Sequence, residues 1–228
     1  MKKNEIFKVT PSGLDYALKC KRCLWLSYKG IKLDAFFPPI FNAFDIIQKK
    51  FLITQSVKLI SNNLPEGRIM TELSGFIGSS VLKDKKKRSF MINGKTDVVI
   101  EFKTDPKKYG IIDLKTTNIT PSKIENYKLQ LEAYATIFQN PNLKTPKFSN
   151  IEELGLYLFE PKEITKIAER DCNMKFETLY LKGNRCYEDL INRVTEIIDV
   201  CLMEKPPEYS LSCSSCKFVA SLKKEKYI

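Results

Sequence analysis

Asp97, Asp113 and Lys115 stand close together in the chain, with Gln130 and Tyr134 shortly after them. Two carboxylates held side by side repel unless a cation neutralises them. Mg²⁺ or Mn²⁺ does this well, because hard divalent ions take oxygen ligands, commonly one or two carboxylates completed by phosphate and water. An ammonium beside such an ion stabilises negative charge as it builds up, so the set suits hydrolysis of a phosphodiester. Histidine is absent from the chain. That excludes a Ser-His-Asp triad, histidine acid-base catalysis and any histidine metal ligand.

A second set is made of thiols. Cys20 and Cys23 form one CxxC pair, Cys213 and Cys216 another. Together they supply the four thiolates of an iron-sulfur cluster or a structural zinc site. Such a centre fastens residues 1–30 to residues 205–228 as a terminal subdomain and stabilises by closing a long loop, without a part in hydrolysis. Cys172, Cys186 and Cys201 are expected to pack as small apolar residues.

The elements that must position the first set follow from local pattern. Residues 89–101 are enriched in β-branched side chains and read as one strand with Asp97 inside it. In residues 109–117 a period of two sends Asp113 and Lys115 to one face, and Ile112 and Leu114 to the other. Asp105-Pro106 marks a turn between these strands, so a hairpin sets Asp97 beside Asp113. A helix that begins with residues 120–127, Pro121 in its first turn, places Gln130 and Tyr134, four residues apart, on one face. Tyr127, Leu131, Tyr134 and Phe138 give that helix its core stripe.

Gly94-Lys95-Thr96-Asp97, Asp113-Leu114-Lys115 and Gln130-Leu131-Glu132-Ala133-Tyr134, in this order and spacing, resemble the successive motifs of the PD-(D/E)XK nuclease superfamily in its RecB-like branch. The resemblance implies a restriction-endonuclease-like core and a metal-dependent deoxyribonuclease. Asp97 and Asp113 would bind Mg²⁺ or Mn²⁺, with the Leu114 carbonyl as a further ligand. Lys115 would be the catalytic lysine, and Gln130 and Tyr134 would support the site. An early helix in such nucleases brings a histidine or an acidic residue to the metal. Asp45 is the candidate substitute here, and Glu72 is the other acidic residue ahead of the motifs. The chain is also similar to CRISPR-associated iron-sulfur exonucleases, which bracket the nuclease domain with four cysteines. Their usual split is one and three. Here it is two and two, so a 4Fe-4S cluster and a structural Zn²⁺ both stay open.

With 228 residues and 43% hydrophobic content the chain buries a sizeable core, and its net charge of +11 favours a polyanion such as DNA. The expected architecture is α/β, one domain with a mixed central sheet of about five strands and helices on both faces. A helix over residues 40–60 is expected to pack Ile40, Phe44, Ile47 and Phe51 on the sheet. A first strand is expected over 68–82, later strands over 154–160 and 174–182, and a helix over 187–203 that buries Leu190, Ile191, Val194, Ile197, Ile198 and Cys201. The cations of residues 83–88 form a hairpin loop that either grips a phosphate backbone or stays a solvated tip. Trp25, Phe36 and Phe37 either stack on bases or pack in the core. Residues 1–8 lack the apolar core of a signal peptide and no stretch spans a membrane, so a cytoplasmic, reducing setting is expected. The expected function is an exonuclease on single-stranded DNA or DNA ends, in repair, recombination, viral replication or CRISPR adaptation. The alternative is a non-catalytic nucleic-acid-binding module partnering a helicase or integrase.

Overall fold

The structure, a computed structural model, describes residues 6–31, 38–70 and 75–224. Phe36, Phe37 and Glu72 lie outside the described residues. In chain order the elements are β1 (Ile6–Val9), α1 (Pro11–Tyr16), α2 (Lys21–Tyr28), α3 (Pro39–Ile53), β2 (Gly67–Ile69), β3 (Phe76–Gly78), β4 (Leu82–Lys83), β5 (Ser89–Lys95), β6 (Val98–Phe102), β7 (Tyr109–Thr116), α4 (Lys123–Gln139), β8 (Ile151–Ile167), β9 (Cys172–Gly183), α5 (Tyr187–Cys201) and α6 (Ser214–Lys224).

Strand β7 is the centre of a mixed five-stranded sheet ordered β2-β6-β7-β8-β9. It runs antiparallel to β6 and parallel to β8. Parallel neighbours need a crossover, and α4 supplies it. A strand covered on both faces must be almost wholly apolar, and β7 is buried from Gly110 to Leu114. Its alternation divides the core. Ile111 joins Leu131 and Phe138 of α4, Val194 and Ile198 of α5 and Leu156 of β8 on one face. Ile112 and Leu114 join Val98, Ile100, Leu52 of α3 and the turn residues Val57, Ile60 and Leu64 on the other. The six residues expected to face inward from α5 are all buried. Among the described residues, no helix is long and apolar enough to cross a membrane.

Four local expectations give way. Residues 89–101 form two strands instead of one, because β5 pairs with β1, β3 and β4 in a separate sheet while β6 belongs to the five-stranded one. Asp97 lies at the junction between them. There its Oδ2 accepts from the Leu114 amide at 2.9 Å, beyond the last β6–β7 pair, Val98 opposite Ile112. The strand expected over 68–82 divides in the same way, β2 going to the large sheet and β3 and β4 to the smaller one. Strands β8 and β9 run well past their expected ends. Beyond the pairing of Thr116 with Phe159 they continue as a two-stranded ribbon with Ile164, Ile167 and Met174 exposed, so no burial pattern marked that length. Cys172 lies on this ribbon and is exposed, whereas Cys201 is buried and Cys186 half-buried.

Helix α3 is turned away from its expected orientation. Ile40, Ile47 and Phe51 are 55%, 63% and 54% exposed, and Leu52 is the residue it buries. Phe44, Asp45, Gln48 and Lys49 occupy the inward side. The physical reason lies in what α3 crosses: Thr116 and Asp97 need hydrogen-bond and ionic partners, which Gln48 and Lys49 provide.

The basic hairpin between β4 and β5 is largely committed to the protein itself. Asp84, whose side chain is fully buried, accepts from the amides of Lys86 and Arg88 and from Arg88 Nε at 2.7–2.9 Å. Arg88 and Lys86 also bind Asp199 of α5 at 2.7 and 2.8 Å. Replacing Asp84 by alanine strands two amides and a guanidinium. We expect Asp84→Ala to lose roughly 2–4 kcal/mol in urea unfolding; a loss within error of zero would show that the clamp is dispensable.

Candidate active site and four-cysteine centre

An open cleft of about 580 Å³ lies where β7 emerges from the core, lined by Asp45 and Lys49 of α3, Lys95 and Asp97 of the β5–β6 junction, Asp113, Leu114 and Lys115 of β7, and Tyr127, Gln130 and Tyr134 of α4. The hairpin between β6 and β7 brings Asp97 next to Asp113, and the period of two along β7 puts Asp113 and Lys115 on the side of α4. The face that begins in the core at Ile111 thus becomes the floor of the cleft two residues later.

Asp113 is 2% exposed. Gln130 Nε2 donates to its Oδ1 at 2.8 Å. Lys115 Nζ pairs ionically with its Oδ2 at 2.5 Å, and no other donor reaches that buried oxygen. Burial pushes the Asp113 carboxyl up to about 7; Lys115 opposes the rise, and the neighbouring Asp97 adds to it. Burial would by itself depress the Lys115 ammonium, yet Asp113 and Asp97 more than offset it and hold Lys115 above its ordinary value. The ring of Tyr127 lies 5.0 Å from Lys115 Nζ, within cation-π range.

Asp97 has both oxygens engaged. Its Oδ2 takes the Leu114 amide and its Oδ1 lies 2.7 Å from Lys49 Nζ. Lys49 also binds Asp45, one helical turn earlier, at 2.7 Å. The structure therefore places Asp45 in the cleft but on Lys49. Among the described residues, the four cysteines are the one group of three or more donors that close on a common point, and Asp45, Asp97 and Asp113 do not form such a group. Lys49 is the site residue that sequence reasoning missed. Its signal was the i,i+4 spacing from Asp45, which reads as an ordinary surface pair until the helix is seen facing the cleft.

Two supports fix the geometry. Tyr134 donates its hydroxyl to the Lys95 carbonyl at 2.8 Å, tying α4 to the strand end that precedes Asp97. Gly94 lets that strand pass: a Cβ there would meet Pro11 Cδ at 2.7 Å and the Tyr134 ring at 3.3 Å. The site matches a hard cation in donor chemistry, since its carboxylates are oxygen donors and no donor but the Lys115 ammonium reaches the buried Asp113 Oδ2.

The cysteines converge at the other set of helix starts. Cys20 caps α2, its sulfur accepting from the Cys23 amide, and Cys213 directly precedes α6. Cys20 Sγ lies 3.4 Å from Cys216 Sγ, Cys23 Sγ lies 3.6 Å from Cys213 Sγ, and all four sulfurs fall within 4.8 Å of one another. The Cys216 amide draws the Cys213 thiol down to about 7. Other contacts join the same segments: Trp25 Nε1 donates to the Met203 carbonyl at 2.8 Å, and Arg22 donates to the Pro207 carbonyl at 2.8 Å while stacking on Tyr209. The Trp25 indole N–H is thereby satisfied, and its ring is half-buried.

A mixed α/β sheet whose central strand delivers a carboxylate and a lysine to one cleft, beside a second carboxylate from the β5–β6 junction, defines a protein of hydrolytic-nuclease type. The chain belongs to the PD-(D/E)XK nuclease superfamily, whose family model matches residues 50–221. Membership points to a metal-dependent nuclease with a nucleic-acid substrate. The matched span holds Asp97, Asp113, Lys115, Gln130 and Tyr134, and leaves Asp45, Lys49, Cys20 and Cys23 outside it. No curated protein matches the chain in sequence. A solved structure described as "Crystal structure of SSO0001" is similar with a TM-score of 0.50 and 12% identity, covering 95% of this chain and 86% of that one. That likeness is one of fold.

The raised Asp113 carboxyl has a measurable sign. The fold favours its neutral form, so this group's contribution to stability is complete below the ordinary pKa of 3.8 and is lost as the pH rises through about 7. In metal-free protein, Asp113→Asn should gain stability relative to the wild type over that window, by up to roughly 1.4 kcal/mol per pH unit. Parallel stability profiles for the two proteins from pH 4 to 8 would show that Asp113 titrates normally.

Proposed function

We propose that this chain is a divalent-metal-dependent DNA nuclease, an exonuclease acting on single-stranded DNA or DNA ends. Asp113 carries the reading: a carboxylate buried near the end of the central strand, one oxygen held by Gln130 and the other ion-paired to Lys115, in a cleft shared with Asp97. Asp97, Asp113 and the Leu114 carbonyl would hold Mg²⁺ or Mn²⁺. Such an ion, when bound, supplies positive charge to the scissile phosphate and acidifies the attacking water.

The chain's own groups do the rest. The Lys115 ammonium, kept charged by its carboxylate neighbours, stabilises the negative charge that gathers on the phosphate oxygens during attack. Gln130 fixes Asp113, and the Tyr127 ring holds Lys115 in place. Lys49 competes with a divalent ion for Asp97 Oδ1, and Asp45 acts on Lys49 instead of on the metal. The net charge of +11 supports a polyanionic substrate, and the four cysteines that bracket the domain, whichever metal they hold, support the likeness to four-cysteine exonucleases on which the single-strand and end preference rests. A binding module that left chemistry to a helicase or integrase would have no use for a carboxylate buried at this cost.

For the cysteines we infer one tetrahedral ion, zinc, in preference to a 4Fe-4S cluster. Zn–S bonds of about 2.3 Å set thiolates about 3.8 Å apart. A four-iron cluster holds each thiolate on a different iron and spreads them further. The observed separations of 3.4 and 3.6 Å suit the single ion.

Two experiments test these readings. End-labelled single- and double-stranded DNA, with RNA in parallel, should be cut with Mg²⁺ or Mn²⁺ and spared in EDTA, single-stranded DNA fastest. Asp113→Ala and Lys115→Ala should lower the rate roughly 10²–10³-fold with binding retained. Cleavage that survives EDTA, or wild-type rates in Asp113→Ala, would refute the mechanism. Metal analysis of purified protein should give about one zinc per chain without visible absorption, and Cys213→Ser should lower the melting temperature. A brown protein with about four irons would establish the cluster instead.

A further inference from the structure

Beside the cleft, on the far side of Tyr127, lies a second pocket of about 410 Å³. Lys19 from the turn after α1, Lys123 from the start of α4 and Arg193 of α5 line it together with Asp15 and Tyr127. Tyr127 lines both spaces, so the two are neighbours along one surface. Lys115 stands in the cleft near the end of β7, and Thr117, just past that end, accepts at its hydroxyl from Lys123 Nζ at 2.8 Å, so the two spaces adjoin where the strand runs out.

The charges of this pocket are arranged for an anion. Three cations from three separate elements face one another across it, and Glu125, the exposed acid on its rim, is paired with Lys128 at 3.3 Å. Asp15 is the one opposing carboxylate deeper in. Its Oδ2 is buried without a hydrogen-bond partner, and burial, opposed by Arg193, lifts its carboxyl to about 6. By contrast, Lys86 and Arg88, two of the five cations of the richest basic run in the sequence, are drawn onto Asp84 and Asp199.

We propose that the pocket of Lys19, Lys123 and Arg193 is a phosphate subsite for the DNA strand, taking the phosphate adjacent to the one placed at Lys115, with Tyr127 as the wall between them. This rests on the reading of the cleft as a nuclease site. It makes α1, α4 and α5 part of the track that orients the strand. The base between the two phosphates then has the Tyr127 ring as a stacking surface.

The test reads binding without cleavage, in full-length Asp113→Asn protein with a fluorescent single-stranded DNA oligonucleotide, by anisotropy across a salt series. Adding Lys123→Gln or Arg193→Gln should weaken binding about threefold to tenfold near 0.1 M salt and reduce the slope of log affinity against log salt by about 0.7. Lys58→Gln, on a turn away from both spaces, should leave the slope unchanged. Arg193 also donates to the Leu14 carbonyl at 2.9 Å and lies 3.9 Å from Glu196, and thus has structural contacts, whereas Lys123 Nζ donates to the Thr117 hydroxyl, so a folding defect in the arginine variant leaves the lysine variant to decide. Unchanged slopes in Lys123→Gln, or a loss equal to that of Lys58→Gln, would overturn the subsite. Failure of the wild type to cut any DNA would instead overturn the nuclease reading, with the salt slopes still judging the pocket.

Discussion

Placing a carboxylate inside the sheet is the constraint from which the arrangement follows. Asp113 occupies a position where β7 has protein on both faces, and an ionised group there loses several kcal/mol of hydration that only partners can restore. Gln130 and Lys115 provide part of that compensation. The remainder is left outstanding, as the raised carboxyl records. A fold that keeps such an imbalance at the mouth of a cleft keeps an affinity for positive charge there. Lys49, reaching across from α3 to Asp97, is the protein's own answer to the same field.

What surrounds Asp113 makes that imbalance geometrically precise. The Tyr134 hydroxyl, the bare Cα of Gly94 and the Leu114 amide together fix the junction that carries Asp97. None of these contacts is chemical in the sense of touching a substrate. They set where the two carboxylates stand, and an error of an ångström in that placement matters more to hydrolysis than the strength of any one of them.

The catalytic-looking residues were legible because strand and helix periods are local. Spacings of two and four place Asp113 with Lys115 and Gln130 with Tyr134, whatever the rest of the chain does. The α5 core face was readable on the same grounds. What escaped were properties that depend on partners far away in sequence. The apolar stripe of α3 promised burial, yet the surface it meets offers Thr116 and Asp97, and the polar side turned inward. The strand through Asp97 could not be seen to change sheets, since that change is decided by β1 on one side and β7 on the other. That Lys86 and Arg88 of the basic hairpin are claimed by α5 could not be seen, because Asp199 lies more than a hundred residues on. The cysteine pairs were readable as a set, and the sulfur separations that bear on the metal were not.

The amide of Leu114 and the carboxylate of Asp97 form a bond with two masters. To the backbone, Asp97 is an acceptor that finishes a ladder where the neighbouring strand has run out. To the cleft it is half of an acidic pair. Silence from an alanine at this position would therefore be ambiguous between a lost charge and an unmoored strand. Asparagine, which keeps an acceptor of the same reach and gives up only the charge, is the substitution that separates architecture from chemistry here.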